Sequence, residues 1–324
     1  MNIAFYSTKP YDRLWFEPMS HQYDFKIHFL ESPLKDSSIP LASGCEAICI
    51  FVNDTVTAEM IDKLCRLGVK AILLRSAGYN HVDLDAARGR IHVLRVPSYS
   101  PDAVAEYAMA LLLTVNRYTH RAYTRTRDFN MSINGLMGQT LFGRTAGIIG
   151  TGKIGQSMIR ICQGFGMNVL AYDPYPNASL NITYTDRETL FAQSDIISLH
   201  CPLTDDTHYL INQSAISQMK DEVYLINTSR GALIDTAALI EGLAGKKFAG
   251  VGLDVYEEED GVFYEDRSND IINDENLIRL TAFPNVLITS HMGFFTREAM
   301  EAIATVTLEN ADAFANGREL ANEL

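Results

Sequence analysis

Hydrophobic and polar positions in the first hundred residues alternate between two periods. Short apolar runs of strand length recur between stretches with helical spacing, and Ala58–Leu67 is such a stretch, with Thr57 placed to cap it. The predicted strands are Ile3–Tyr6, Phe25–Leu30, Ala47–Val52, Ala71–Leu74 and His92–Val96. This βαβ alternation predicts a parallel sheet covered by helices on both faces.

A second series of the same kind follows a proline-containing boundary at residues 97–101. Long helical patterns run from Ala103 to Asn116 and from Arg297 to Phe314. Between them, one strand is predicted to begin near Thr145 and the next to end at Asp173. Further strands are predicted over Asp195–Leu199, Val223–Ile226, Gly250–Leu253 and Val286–Thr289. The pattern predicts an α/β fold of two doubly wound parallel-sheet domains, Rossmann-like and flavodoxin-like, with a cleft between them.

A glycine-rich loop joins the strand at Thr145 to the next predicted helix. In a dinucleotide-binding loop, Gly150 permits the tight turn, Gly152 lets the backbone approach a pyrophosphate, and Gly155 allows close helix–strand packing. The helix start at Lys153 and Ile154 offers free N–H donors and a positive dipole end to phosphates. These residues are therefore predicted to bind a dinucleotide.

The choice of cofactor depends on Asp173, which lies eighteen residues after Gly155. A carboxylate at the end of the second strand accepts hydrogen bonds from the ribose hydroxyls and repels a 2′-phosphate. No cation occurs at residues 174–177, and the next basic residue is Arg187. The sequence therefore predicts NAD rather than NADP.

Composition narrows the class of protein. The 324 residues exceed the usual size of one hydrophobic core and favour two domains. A net charge of −13 argues against nucleic acid or an anionic membrane as partner. The start of the chain lacks the pattern of a signal peptide, and the apolar run Ala108–Val115 is too short to span a bilayer, so a cytoplasmic location is expected. The five scattered cysteines are typical of reduced thiols, and no metal site is predicted.

Three residues suited to acid–base and anion chemistry follow predicted strands of the second series. They are Arg230, Glu259, which lies five residues beyond Asp254, and His291. Ligands bind beyond the carboxyl ends of strands in open α/β sheets, so we expect these residues to converge. A guanidinium binds a carboxylate bidentately, and a histidine transfers protons near neutral pH. A carboxylate bonded to that ring orients it and favours its charged form.

These residues and their surroundings resemble the D-2-hydroxyacid dehydrogenase family and, within it, the fermentative D-lactate dehydrogenases. The matching motifs are Tyr6–Asp12, Cys45–Asp54, Arg75–Asn80, Val96–Tyr99, the glycine loop, Ser198–Leu203 and the segments around the three site residues. The resemblance implies a discontinuous substrate domain of residues 1–99 and 292–324, and an NAD-binding domain of residues 100–291. It also implies a homo-oligomer, either a dimer or a tetramer.

The resemblance also implies roles for individual residues. Arg230 corresponds to the family's catalytic arginine, Glu259 to its acid and His291 to its acid/base histidine, while Asp254 lies beside the nicotinamide. The other implied cofactor-binding residues are His200, for which packing is the alternative role, Cys201, Pro202, Thr228 and Ser229. The implied substrate-binding residues are Arg230, Ser76, Ala77, Gly78, Tyr99 and Phe294.

The implied reaction is reversible hydride transfer between NADH and pyruvate, giving D-lactate. Two aromatic side chains, Tyr99 and Phe294, favour a substrate as small as pyruvate. The alternatives are a dehydrogenase for a larger 2-oxoacid such as phenylpyruvate, or a non-catalytic NAD-sensing protein like the corepressors that share this fold. The chain departs from many relatives at Tyr107, where they have histidine, and at Met292-Gly293, where close relatives read Gln-Ala.

Overall fold

The computed structural model of the protein describes residues 1–259 and 261–324. It divides into two units, one of Met1–Ser100 with Phe295–Leu324 and the other of Pro101–Phe294. Each unit contains one parallel β-sheet with helices packed against it. Helices and strands are numbered below in chain order.

The first unit has a five-stranded sheet in the order β2-β1-β3-β4-β5. Its elements are β1 (Asn2–Phe5), α1 (Pro10–Ser20), β2 (Lys26–Phe29), β3 (Ala47–Ile50), α2 (Ala58–Arg66), β4 (Ala71–Leu74), α3 (Leu84–Ala87), β5 (His92–Leu94) and α11 (Arg297–Ala315). This strand order is that of flavodoxin-like folds. Ala4 and Tyr6 face the core beneath α2 and α3, whereas Phe5 contacts Phe16 of α1 on the opposite face.

The second unit has a seven-stranded parallel sheet in the order β12-β11-β10-β9-β6-β7-β8. Its strands are β6 (Thr145–Ile149), β7 (Asn168–Tyr172), β8 (Thr183–Tyr184), β9 (Ile196–Leu199), β10 (Val223–Asn227), β11 (Phe248–Leu253) and β12 (Val286–Ile288). The strand order reverses between β6 and β9, the point at which Rossmann folds bind dinucleotides. The loops after these two strands begin at Gly150 and His200.

Helices cover both faces of the second sheet. They are α4 (Pro101–Arg117), α5 (Thr119–Arg127), α6 (Lys153–Gly164), α7 (Arg187–Gln193), α8 (Gln213–Gln218), α9 (Thr236–Ala244) and α10 (Glu275–Ala282). Because side chains alternate along a strand, Ile148 packs with α4 and α6 whereas Ile149 packs with α7, α8 and α9. The predicted fold class of two parallel-sheet α/β domains is confirmed. Among the described residues, no helix has the length and apolarity needed to cross a membrane.

Candidate active site

The glycine loop lies between β6 and α6 in the conformation that its sequence predicts. Gly150 has φ +92°, and a Cβ atom there would lie 2.6 Å from the backbone nitrogen of Cys201. A Cβ atom at Gly155 would lie 2.0 Å from the carbonyl oxygen of Gly150. Within the part of the chain that the structure describes, a Cβ atom at Gly152 would have no neighbour within 4 Å, and no side chain caps α6 there. The first N–H groups of α6 are therefore left for an external acceptor.

Asp173 lies directly after β7 and is held by backbone and side-chain donors. Its Oδ2 atom accepts hydrogen bonds from the backbone nitrogen of Thr151, at 2.7 Å, and from the Thr151 hydroxyl, at 3.0 Å. The hydroxyl of Tyr184, in β8, in turn donates to Thr151 Oγ1 at 3.0 Å. The predicted ribose-binding carboxylate is thus held against the glycine loop. The hydrogen bonds through Thr151 and Tyr184 that hold it there were not predicted from the sequence.

His200 and Cys201 follow β9 and pack under the glycine loop. The His200 Nε2 atom lies 2.9 Å from the Ser198 hydroxyl, and burial lowers the pKa of His200 to about 4. Burial raises the pKa of the Cys201 thiol to about 11. Both side chains are therefore uncharged at neutral pH, which suits residues that line a cofactor-binding site. Pro202 is exposed next to them.

Arg230 extends from the turn that follows β10. Asn227 shapes this turn, because its side chain donates to the Arg230 carbonyl at 2.8 Å and accepts from the Ser229 backbone nitrogen at 3.0 Å. The Ser229 hydroxyl donates to the Cys201 carbonyl at 2.6 Å, which links this turn to the glycine-loop region. Within the described residues, no carboxylate forms an ion pair with Arg230. Its guanidinium therefore keeps its charge available to an anion.

Glu259 and His291 form a hydrogen-bonded pair, as the sequence predicts. The Nδ1 atom of His291 lies 2.8 Å from Oε1 of Glu259, and the two side chains are 17% and 22% exposed. The backbone nitrogen of Tyr256 donates to the other carboxylate oxygen of Glu259 at 3.1 Å. A Cβ atom at Gly231 would lie 2.0 Å from the carbonyl carbon of Tyr256, so the Arg230 turn packs directly on the Glu259 segment.

Asp254 is fully buried and holds the loop that carries His291 in place by hydrogen bonds. Its carboxylate accepts hydrogen bonds from the Thr289 hydroxyl at 2.6 Å and from the backbone nitrogens of Met292, at 2.9 Å, and Gly293, at 2.7 Å. Burial raises the pKa of Asp254, whereas these hydrogen bonds lower it. The predicted contact of Asp254 with the nicotinamide stays a prediction. No sequence motif indicated that Thr289 would bond to Asp254.

The predicted substrate-binding residues Ser76, Ala77, Gly78 and Tyr99 belong to the first unit. Ser76 follows β4 and is buried, and its hydroxyl donates to the Gly78 carbonyl at 2.8 Å. Phe294 is buried at the end of the second unit. Their contact with a substrate stays a prediction. Within the described residues, no cluster of three His, Cys, Asp or Glu side chains could hold a metal ion.

Comparison with known proteins assigns the family. Residues 109–293 match the family described as D-isomer specific 2-hydroxyacid dehydrogenase, NAD binding domain. The chain belongs to this family. This dehydrogenase is 49% identical over 328 residues to the D-lactate dehydrogenase of Escherichia coli (strain K12), with 100% of both chains covered.

Solved structures give the same relationship. The apo-structure of D-lactate dehydrogenase from Escherichia coli has a TM-score of 0.91 to this dehydrogenase at 47% identity, covering 100% of both chains. D-lactate dehydrogenase from Aquifex aeolicus, complexed with NAD and lactic acid, has a TM-score of 0.87 at 34% identity, covering 98% of this chain and 96% of that one. The resemblance noted in the sequence is confirmed.

The cofactor of this dehydrogenase is NAD, and residues of the second unit fit it. The uncapped start of α6 at Gly152 offers N–H donors to a pyrophosphate. The Asp173 carboxylate lies where ribose hydroxyls bind in Rossmann folds. The Thr228 hydroxyl is buried and has no hydrogen-bond partner among the described residues, as expected of a group that bonds to a ligand.

Proposed function

We propose that this protein is an NAD-dependent D-lactate dehydrogenase that reduces pyruvate to D-lactate and catalyses the reverse oxidation. The observation that carries the proposal is the Glu259–His291 hydrogen bond at 2.8 Å, close to the carboxyl end of β12. The identity of 49% to a D-lactate dehydrogenase over the full length of both chains supports the choice of substrate. The substrate class, a small 2-oxo or 2-hydroxy acid, is that of the family.

Arg230 is proposed to bind the substrate carboxylate. Its planar guanidinium can donate two parallel hydrogen bonds to a carboxylate, which fixes the orientation of the neighbouring 2-oxo group. This local cation is needed because the chain carries a net charge of −13, which repels an anionic substrate at long range.

His291 is proposed to exchange the proton. Because Glu259 accepts a hydrogen bond from the Nδ1–H group of His291, the exchangeable proton of the ring is carried on Nε2. In reduction, His291 enters as the imidazolium, gives the Nε2 proton to the 2-oxo oxygen and leaves as the neutral ring. When NADH is bound, it supplies the hydride that C2 receives. In oxidation the neutral ring accepts the hydroxyl proton, so the two directions need opposite charge states of His291.

Initial rates of NADH oxidation test the substrate and cofactor. Pyruvate should give the highest kcat/KM in a panel with phenylpyruvate and branched 2-oxoacids, and chiral analysis should detect D-lactate alone. Preference for a larger acid would favour the alternative dehydrogenase. Tight NADH binding without turnover would favour an NAD-sensing protein, and L-lactate or a racemate would contradict the proposal.

We further propose that the protein forms a homo-oligomer through the segment from α5 to β6. No residue of α5 is buried, and the residues that follow expose several large apolar side chains. They are Phe129, Met131, Ile133, Met137 and Phe142. A monomer rarely exposes so much apolar surface in one segment, and an isologous dimer covers such a patch with its own copy. Light scattering should give a mass of at least twice 36.1 kDa, and a monomer would contradict the proposal.

A further inference from the structure

His291 has a backbone conformation that is uncommon for a non-glycine residue, and it is held from three directions. Its φ is +53°, in the left-handed region. Its backbone nitrogen donates to the Asp254 carbonyl at 2.7 Å, and its ring bonds to Glu259. Its carbonyl oxygen accepts a hydrogen bond from the Tyr264 hydroxyl at 2.8 Å. Residues held in such conformations persist where their surroundings determine them.

Tyr264 also contacts the ring of His291. The two ring centroids lie 6.2 Å apart with an interplanar angle of 30°, a stacked arrangement. Tyr264 is itself a non-glycine residue at φ +64°, so its own backbone is constrained to bring the side chain there. The side chain therefore meets His291 at two places, the hydroxyl at the carbonyl and the aromatic ring at the imidazole.

The segment that carries Tyr264 begins at Glu259. The backbone nitrogens of Val262 and Phe263 donate to the Glu259 carbonyl at 3.2 and 3.0 Å. Phe263 is buried in the core beneath this face of the sheet, and Tyr264 packs against the same core. One anchored turn thus presents both the carboxylate and the tyrosine to His291.

We propose that Tyr264 is a positioning residue for His291, holding the ring in the orientation in which Nδ1 faces Glu259 and Nε2 faces the substrate. This inference rests on the proposed function, since it assigns Tyr264 to the proton-transfer step. Among the described residues, the charged groups that interact with His291 are Glu259 and Asp254, and Tyr264 adds no charge. Tyr264 therefore acts through geometry, by keeping the Glu259 carboxylate in line with the ring.

Two substitutions separate the contacts of Tyr264. Tyr264→Phe keeps the aromatic ring and removes the hydroxyl, whereas Tyr264→Leu removes both. We expect kcat for reduction to fall about threefold in the first and roughly tenfold or more in the second, because small displacements of a catalytic group are costly. The KM for NADH should be unchanged. Tyr224→Phe is the matched control, because it removes a hydroxyl that bonds to Asn116 on the other face of the sheet.

The charge state of His291 gives a readout that does not need turnover. Proton NMR of the His291 ring, assigned by its loss in His291→Gln, should show a lower midpoint of titration in Tyr264→Phe than in the wild type. The shift should have the same direction as the one expected for Glu259→Gln, and adding Tyr264→Phe to Glu259→Gln should produce no further shift. Tyr224→Phe should change the thermal midpoint of unfolding without moving the titration.

The outcomes distinguish the two proposals. An unshifted His291 titration in both Tyr264 variants, or kcat losses that only follow their thermal stability, would overturn the role of Tyr264. A wild-type protein that fails to reduce any 2-oxoacid would overturn the proposed function, while the NMR titration would still decide whether Tyr264 positions the ring.

Discussion

Among single residues, Glu259 lies beside the ionisable ring of His291, with its carboxylate 2.8 Å from Nδ1. A carboxylate stabilises the imidazolium, which ketone reduction consumes, more than an amide can. In Glu259→Gln the alkaline limb of kcat/KM for pyruvate reduction should therefore move to lower pH. Oxidation of D-lactate needs the neutral ring and should lose less activity at low pH than the wild type does.

The pH profiles of both directions, measured with saturating cofactor, check this expectation. The matched substitution is Glu258→Gln, because this neighbouring side chain is exposed. A limb that stays in place in Glu259→Gln, with unchanged KM for pyruvate, would show that another group sets the charge of the ring.

Arg230 permits a second residue-level prediction. In Arg230→Lys the ammonium keeps the positive charge but cannot form two parallel hydrogen bonds to the substrate carboxylate. We expect kcat/KM for pyruvate to fall by about 100-fold, while the Kd for NADH, measured by fluorescence, barely changes. Near-normal pyruvate kinetics would exclude Arg230 as the carboxylate-binding group.

Motifs in the sequence predict the site residues whose chemistry is evident, but not the residues that orient them. The positions of Arg230 and His291 after buried strands and the spacing from Asp254 to Glu259 mark these three residues. Tyr264 lies in an acidic stretch with no helical or strand period. Its contact with His291 spans 27 residues and depends on two left-handed backbone conformations, which side-chain pattern does not encode.

At the scale of elements, the close packing of α6 on β6 depends on Gly155. An added Cβ atom would lie 2.0 Å from the Gly150 carbonyl oxygen, so Gly155→Ala must displace the start of α6 from the loop. We expect a lower thermal midpoint and at least tenfold weaker NADH binding, because the phosphate-binding N–H groups move with the helix.

Gly164→Ala is the control in the same helix. A Cβ atom there would meet no neighbour within 4 Å, and alanine is the better helix former, so stability should stay equal or rise by up to about 1 kcal/mol. Titration of NADH fluorescence and differential scanning calorimetry measure the two effects. Wild-type NADH affinity in Gly155→Ala would contradict the packing argument.

The buried strands with apolar sequences agree with prediction, whereas several helices were not predicted. The buried strands β3 and β4 have continuous apolar sequences, β10 is apolar up to Ile226, and each strand lies within two residues of its predicted bounds. The helix α5 buries no residue, so it has no apolar stripe to reveal it. The strand β8 has two residues, and α1 contains Pro18, which argues against a helix in the sequence.

At the scale of the whole molecule, the sequence predicts parallel sheets but not the order of the strands within each sheet. The βαβ alternation predicts parallel sheets, and the right-handed crossover rule restricts their topology. The addition of β8 beyond β7, and of β12 beyond β11, arises from pairings between segments that local sequence does not relate. The packing of α11 against α1 and β4 is likewise not encoded in local sequence, and only the family resemblance implies that the end of the chain joins the first domain.

The exposed apolar segment after α5 is expected to form the interface between subunits. Ile133 is 82% exposed, so Ile133→Asp costs the monomer little, but it would place a desolvated carboxylate in an interface that uses this segment on both copies. We expect the variant to dissociate at concentrations where the wild type stays associated, and its thermal midpoint to fall and depend on protein concentration. Ile271→Asp is the matched control, since Ile271 is 88% exposed and lies outside the segment. Sedimentation velocity over a hundredfold range of concentration measures both variants. Equal dissociation of the two, or none in Ile133→Asp, would place the interface elsewhere on the surface.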